Sequence, residues 1–233
     1  MTAIASGGVI AAGHGSRLKQ FGVPKPFVRI AGIPLIEHVL SNFEAAGVTA
    51  VAIIFNETER ECASFVRDRF GRLVSKVVVK TTRSSLESFR EVLEAAPPGR
   101  LLVSTVDAFC PREDFVGFVR RAEELPSDAA ILAVTGFVDD EKPLWVTATR
   151  SGRITVVGGS SGDAVTAGIY VVPEGVRDLG IPPQLARLRD FLAWLCKSGV
   201  PMLAVPVRKV VDVDRAEDVK TAEMLAREEV GGR

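Results

Sequence analysis

Gly8-Val9-Ile10-Ala11-Ala12-Gly13-His14-Gly15-Ser16-Arg17-Leu18, with Pro24-Lys25-Pro26 shortly after it, is the stretch on which the reading of this chain turns. The apolar run at 8–12 predicts a strand buried on both faces. Gly13 and Gly15 then supply a turn whose backbone N–H groups can crowd around phosphate. At the mouth of that turn Arg17 offers a planar fork and Lys25 a point charge. A cradle beside two permanent cations points to a nucleoside triphosphate as ligand. The dinucleotide-binding alternative fails on spacing, because Leu18 stands where its third glycine should fall.

Outward from this stretch, short apolar runs alternate with helical patterns. Residues 34–46 predict a helix with Leu35, Ile36, Val39, Leu40 and Phe43 on one face, Pro34 in its first turn and Gly47 as its stop. Strands follow at 50–55, 76–80 and 101–105, separated by helices at 59–70 and 85–96. This alternation implies a parallel sheet covered on both faces. The second half differs. Strands at 129–135, 144–149, 154–157 and 166–172 are joined by turns, including Asp139-Asp140 and Ser151-Gly152, with no helix between them. Part of the sheet is therefore expected to be antiparallel. Helices return at 183–197 and 216–228, with strands at 202–205 and 209–213. No internal repeat or linker interrupts the pattern. The expected architecture is one α/β domain over 1–233, with a mixed, mostly parallel central sheet flanked by helices.

Composition narrows the function. Hydrophobic residues make up 47% of the chain and charged residues 25%, which supports a buried core and excludes a disordered chain. Lys plus Arg equal Asp plus Glu at 29 each, so the net charge of zero argues against a dedicated nucleic-acid or membrane-surface binder. Three cysteines without a CxxC pair, and two histidines, argue against a zinc site or a disulfide framework; the expected compartment is a reducing cytoplasm. The N-terminal apolar run lacks a basic flank and breaks at Gly13, so it reads as a strand and not as a signal peptide. No apolar run is long enough to span a bilayer.

Ligands of an open parallel sheet sit at the carboxyl ends of its strands. The 13–17 turn lies on that rim, as do Asp107, just past the strand at 101–105, and Asp214, past the strand at 209–213. Two carboxylates converging near a phosphate cradle suit Mg²⁺, which takes one or two carboxylates and completes its shell with waters and substrate phosphates. Asp212, on the same strand face as Asp214, is the substitute ligand. Plainer readings stand beside these. Asp107 can be a turn residue before a helix starting near Pro111. Asp214 with Glu217, and Ser84 with Glu87, have the spacing of capping boxes. His14 is divided between ligand contact and backbone capping and stays outside the catalytic set. Lys142 reads as part of a solvated turn, with an acceptor phosphate as its sharper alternative. Trp145 and Trp194 read as packing residues.

In order along the chain, 11–18, Pro24-Lys25-Pro26-Phe27, Gly32-Ile33-Pro34-Leu35-Ile36, Asp107, Thr166-Ala167-Gly168-Ile169-Tyr170 and 211–218 resemble the sugar-phosphate nucleotidyltransferases, pyrophosphorylases of Rossmann-like GT-A fold. The resemblance implies a reaction in which an NTP and a phosphorylated sugar, polyol or amino alcohol give a nucleotide-activated product and pyrophosphate. It implies that Arg17 binds the β- and γ-phosphates, that Lys25 contacts the α-phosphate and the incoming phosphate, and that Asp107 and Asp214 hold Mg²⁺. By the same resemblance the nucleotide lies against Ala11, Ala12, Gly13, Gly15 and Ser16 and against Thr82, Ser84 and Ser85 of the 81–85 segment. Thr166 and Gly168 would meet the acceptor. Phe27 stands where the family more often has Leu or Met. The short loop between Arg17 and Lys25 is closer to cytidylyltransferases of small phosphorylated alcohols than to the hexose enzymes.

The chemistry agrees with what the sequence lacks. A phosphomonoester is already anionic, with a second pKa of about 6, so no general base is required. Two other classes share these features. A GT-A glycosyltransferase would consume a nucleotide sugar, but Asp107-Ala108-Phe109 lacks the second acid of the usual pair. A non-catalytic nucleotide-binding module would keep the cradle without turnover. The expected partners are an NTP and a phosphorylated small molecule, with a homo-oligomer left open.

Overall fold

A computed structural model describes residues 3–13, 15–138 and 141–231. His14 and the Asp139-Asp140 turn lie outside the described residues. The chain opens with β1 (Ser6–Ala11), a 3₁₀ turn at Ser16–Phe21 and a second at Lys25–Phe27. The small hairpin β2 (Arg29–Ile30) and β3 (Ile33–Pro34) leads into α1 (Leu35–Ala45). Then β4 (Ala50–Phe55), α2 (Arg60–Phe70), β5 (Val74–Val79), α3 (Ser85–Ala95) and β6 (Leu101–Thr105) follow the expected alternation. A two-residue strand, β7 (Ala108–Phe109), precedes α4 (Arg112–Glu124). The second half holds β8 (Ala130–Thr135), β9 (Trp145–Ala148), β10 (Ile154–Val157), β11 (Ala164–Val172) and α5 (Leu188–Leu195). It closes with β12 (Met202–Pro206), β13 (Val211–Asp212) and α6 (Ala216–Gly231).

The main sheet runs β10-β9-β11-β6-β1-β4-β5, with β8 and β12 continuing from β11. β1 pairs in parallel with β4 and β6, and β4 with β5. The direction reverses at β11, which runs antiparallel to β6, β8 and β9. That mixture is what a helix-free succession of strands in the second half requires. One face of the sheet packs on α1, α2 and α4 through Ile36, Phe43, Val66 and Phe118, and the other on α3 and α5 through Phe89, Val92, Phe191 and Leu192. A third cluster joins Leu18, Ile30, Phe109, Val213 and Leu225, so α6 seals the ground beneath the first turn. Trp194 packs on Phe191, ring centroids 5.8 Å apart, which agrees with a packing role. Among the described residues no helix is long and apolar enough to cross a membrane.

Three expectations are corrected. The helix expected at 183–197 begins only at Leu188, because Pro182 carries a turn to Leu185 and the Leu188 amide donates to Ser85 Oγ at 3.0 Å. The strand expected at 209–213 shrinks to Val211–Asp212, since its partner β7 has only two residues. The partner that caps the start of α6 is Asp218 and not Glu217. Its carboxylate accepts from the Asp214 and Arg215 amides at 2.9 and 2.7 Å, which a position one residue further round the turn can reach.

Gly7 and Gly8 sit at the centre of the sheet because helices press on both faces of β1. A Cβ at Gly7 would lie 2.5 Å from Phe43 Cδ1, and one at Gly8 would lie 2.4 Å from Val92 Cγ1. Gly8→Val is expected to lower unfolding free energy by about 1–3 kcal/mol through overpacking. Urea denaturation of the variant against wild type checks this.

Glu59, in the turn ahead of α2, is buried, and its Oε2 finds no hydrogen-bond partner. Burial, helped by the Glu61 charge and opposed by Lys25, pushes its carboxyl from 4.5 up to about 7. The folded protein thus keeps a proton that the unfolded chain has lost, and this group removes stability as pH rises from about 4.5 through 7. Glu59→Gln is expected to be more stable than wild type by up to about 3 kcal/mol above pH 8, with the gain fading below about pH 4.5. Urea midpoints measured across that range report the difference.

Candidate active site

Lys25 is where the site begins. Pro24 and Pro26 hold it in a 3₁₀ turn, and its stem passes directly beneath Gly15. A Cβ on Gly15 would stand 2.7 Å from Lys25 Cβ, and the glycine's φ of +52° is a value that side chains disfavour. The second glycine of the first turn is therefore required by the lysine beneath it. Lys25 is only 7% exposed, and its ammonium donates to Asp107 Oδ2 and Asp214 Oδ1, each at 2.5 Å.

The two acids arrive from distant parts of the chain. β6 delivers Asp107, whose carbonyl accepts from the Phe109 amide at 2.8 Å and the Val213 amide at 3.0 Å. Antiparallel pairing of β7 with β13 then fixes 211–214 beside it. Carboxylate oxygens of Asp107, Asp212 and Asp214 lie within 4.8 Å of one another. Arg17, with its side chain 56% exposed, reaches Asp214 at 3.6 Å and Glu141 at 4.0 Å. Burial alone would lower the Lys25 pKa. The charges of Asp107, Asp214 and Asp212 overcome it and hold the ammonium protonated well above the ordinary lysine range. The Asp107 carboxyl feels the opposite balance. Burial pushes it up, but Lys25 and a hydrogen bond from Thr105 bring it below the usual carboxylate range.

A cavity of about 390 Å³ opens from this cluster. It is lined by Arg17, Asp107, Asp212 and Asp214, and also by Thr166, Gly168, Tyr170, Arg187, Arg189 and Lys142. Gly168, at φ +71°, marks a register shift in β11 where a Cβ would crowd Thr105 Oγ1 and Ala108 Cβ at 2.9 Å. Before this glycine β11 pairs with β9 and β8, and beyond it with β6 and β8, so the irregularity falls where β6 takes the place of β9. Tyr170 is buried, and burial together with the nearby Asp212 and Asp107 pushes its phenol up to about 12, so it stays a neutral hydrogen-bonding group. Arg189 donates to the Lys142 carbonyl at 2.6 Å and ties α5 to the loop above the cavity.

The fold thus brings together Arg17, Lys25, Asp107 and Asp214, with Thr166 and Gly168 in the lining of the adjoining cavity. Ala11 and Ala12 are buried at the carboxyl end of β1, and Gly13 stands exposed beyond it. Gly15 and Ser16 begin the turn above Lys25, and neither lines the cavity. Ser84 accepts from the Glu87 amide at 3.1 Å as the N-cap of α3, but Glu87 Oε2 accepts from the Arg83 amide instead of that of Ser84, so the box is shifted by one residue. Thr82 pairs with Ser88 at 2.7 Å, and of this segment only Ser85 lines the cavity. Reading the sequence missed Tyr170, Arg187 and Arg189. Their signal was faint, since a tyrosine inside a strand and two arginines before a helix are ordinary. It also missed Asn56, which ends β4 and orders the turn there by accepting from the Thr58 amide at 3.0 Å.

Comparison with known proteins adds relatives to this geometry. Residues 7–173 match a family model described as the MobA-like NTP transferase domain. The chain is 26% identical, over 242 aligned residues, to a Rubrobacter xylanophilus protein named Bifunctional IPC transferase and DIPP synthase; the alignment takes in 93% of this chain and 51% of that relative. The chain thus spans about half the length of this relative. Among solved structures, the inositol-1-phosphate CTP transferase from T. maritima superposes with a TM-score of 0.84 at 20% identity, covering 97% of this chain and 96% of that one. A UDP-glucose pyrophosphorylase complexed with UDP-glucose gives 0.79 at 16% identity, covering 98% and 100%. At such identities the likeness is one of fold.

Removing one partner from the Lys25 cluster leaves a buried charge less compensated. Asp107→Asn is expected to destabilise the protein by about 1–3 kcal/mol, below the full cost of breaking a buried pair because Asp214 remains and Asp107 is partly exposed. Guanidinium denaturation at neutral pH measures it.

Proposed function

Because the chain belongs to the MobA-like NTP transferase domain family, we propose that it transfers a nucleotidyl group from an NTP to a phosphorylated polyol and releases pyrophosphate. The observation that carries this reading is the joining of Lys25, Asp107 and Asp214 at the mouth of a cavity that continues toward Thr166, Gly168 and Tyr170. The name of the T. maritima structure favours an acceptor of the inositol 1-phosphate kind, and so do the hydroxyls of Thr105, Thr135, Thr166 and Tyr170 in the cavity wall.

In this reading an acceptor phosphate oxygen attacks the α-phosphorus. A new P–O bond forms, the α–β anhydride bond breaks, and pyrophosphate leaves with the electron pair. Arg17 binds the β- and γ-phosphates and follows the charge onto the leaving group. Lys25 reaches the α-phosphate and the incoming phosphate. The turn over Ala11, Ala12, Gly13, Gly15 and Ser16, with Thr82, Ser84 and Ser85, surrounds the nucleotide. Thr166 and Gly168 meet the acceptor, and Lys142, Arg187 and Arg189 offset its negative charge. Three carboxylates with oxygens this close are a hard-oxygen donor set that fits Mg²⁺, with Asp107 and Asp214 as ligands and Asp212 beside them. Bound there, Mg²⁺ would neutralise charge developing on the phosphates. Catalysis otherwise rests on alignment and on fixed cations, with no general base. The whole of residues 1–233 is read as one nucleotidyltransferase domain.

The test is pyrophosphate release from each of the four common NTPs against inositol 1-phosphate and a set of sugar 1-phosphates. One pair should turn over, and Lys25→Ala should lower its kcat/KM by about 100-fold or more, on the scale of one lost transition-state contact. Folded, Mg²⁺-replete protein that releases no pyrophosphate with any pair removes the proposal. Release of a nucleoside diphosphate from a nucleotide sugar would replace it with glycosyl transfer.

A further inference from the structure

The Lys25 ammonium fills the gap between the carboxylates of Asp107 and Asp214, the two acids read above as ligands of a divalent cation. We propose that Lys25 is an internal counterion of this acid pair, and that it yields its place to a divalent cation only when a nucleotide arrives with it. The inference rests on the reading of Asp107 and Asp214 as metal ligands and adds to it a rule for how that site is filled.

The argument is one of space and charge. An ammonium is a donor with no acceptor capacity, and here it lies 2.5 Å from an oxygen of each acid. A cation of Mg²⁺ type binds such oxygens at about 2.0–2.1 Å, so it would sit within about 5 Å of the ammonium, and the two like charges would compete for the same oxygens. Lys25 has to leave for the metal to enter. Its backbone cannot follow. The residue lies between two prolines, its carbonyl accepts from the Val28 amide at 3.1 Å, and Gly15 presses on its Cβ. Only the four-carbon stem can swing, so the ammonium remains close by and needs another anion. Glu59, the other buried acid near it, is held largely protonated below pH 7 and is a poor replacement. A nucleotide α-phosphate is the anion the proposed reaction brings to this point. Exchange of metal for lysine is then offset when phosphate accompanies the metal and opposed when the metal comes alone. Arg17, 3.6 Å from Asp214, adds to the opposition until it too is drawn to phosphate.

The device also accounts for three acids being held together. Without a cation among them they repel, and Lys25 keeps their positions in register for the metal. Lys25 is thus a positioning residue for the acid pair as well as a catalytic contact in the proposed reaction.

Mn²⁺ serves as the probe, its binding followed by electron paramagnetic resonance and by thermal melting of the full chain, with and without a non-hydrolysable α,β-methylene NTP. Wild type is expected to bind Mn²⁺ at least ten-fold more weakly alone than with the analogue. Lys25→Met is expected to bind Mn²⁺ alone at least ten-fold more tightly than wild type does and to melt higher when it is added. The double variant Lys25→Met/Asp214→Asn should lose that gain. Lys25→Gln is the substitute if the methionine variant does not fold, and the wild-type comparison stands without either. Equal Mn²⁺ affinity of wild type with and without the analogue, or no gain on replacing Lys25, overturns the inference alone. No Mn²⁺ bound by wild type even with the analogue overturns the metal reading, and the counterion role with it.

Discussion

The contact of one buried ammonium with two carboxylates, Lys25 with Asp107 and Asp214, is the interaction on which the site is assembled. It reaches 82 residues along the chain to Asp107 and 189 to Asp214. Burying a lysine is costly, and the charges of Asp107, Asp214 and Asp212 offset that cost because the backbone holds the first two at hydrogen-bonding distance. Much of the surrounding structure serves that condition. Pro24 and Pro26 fix the turn that carries the lysine, and Gly15 leaves room for its stem. β7 and β13 pair for two residues, enough to set Asp107 beside 212–214. Asp218, capping the start of α6, holds the Asp214 and Arg215 amides from below.

The sheet supplies the cavity next to this cluster by changing direction. Parallel strands β1 and β6 deliver the first turn and Asp107 to one rim. β11 runs against β6 and contributes side chains from its length. At Gly168 its second partner changes from β9 to β6 while β8 stays paired, and Thr166 and Tyr170 line the cavity that the acids also line. Arg187, just ahead of α5, and Arg189 within it add cations to the same lining as the acids.

Most of the scaffold was legible because its signals are local. Alternation of apolar runs with amphipathic segments gives βαβ units, and the parallel half of the sheet follows from the handedness and brevity of its connections. The rim rule then places the first turn and Asp107 together with no knowledge of side-chain packing. Errors fell where one local pattern was compatible with two partners. The spacing from Asp214 suited Glu217 as a capping partner, but the choice of Asp218 depends on how α6 lies on its cluster. Periodicity carried the helix of α5 back to Pro183, whereas contact with Ser85 of a different helix decides where it starts.

By itself the sequence determined the fold class, the glycine turn after β1, the two cations near it and the two acids that follow strands, because residue type, spacing and strand order are enough for each. Only the tertiary structure decided that Lys25 lies between Asp107 and Asp214, that Asp212 joins them, and that Tyr170, Arg187 and Arg189 line the same cavity. The reason is physical. Distances between residues far apart in the chain are set by strand register, by a kink at one glycine and by the packing of α5 and α6, and none of these leaves a periodic mark in the residues it brings together.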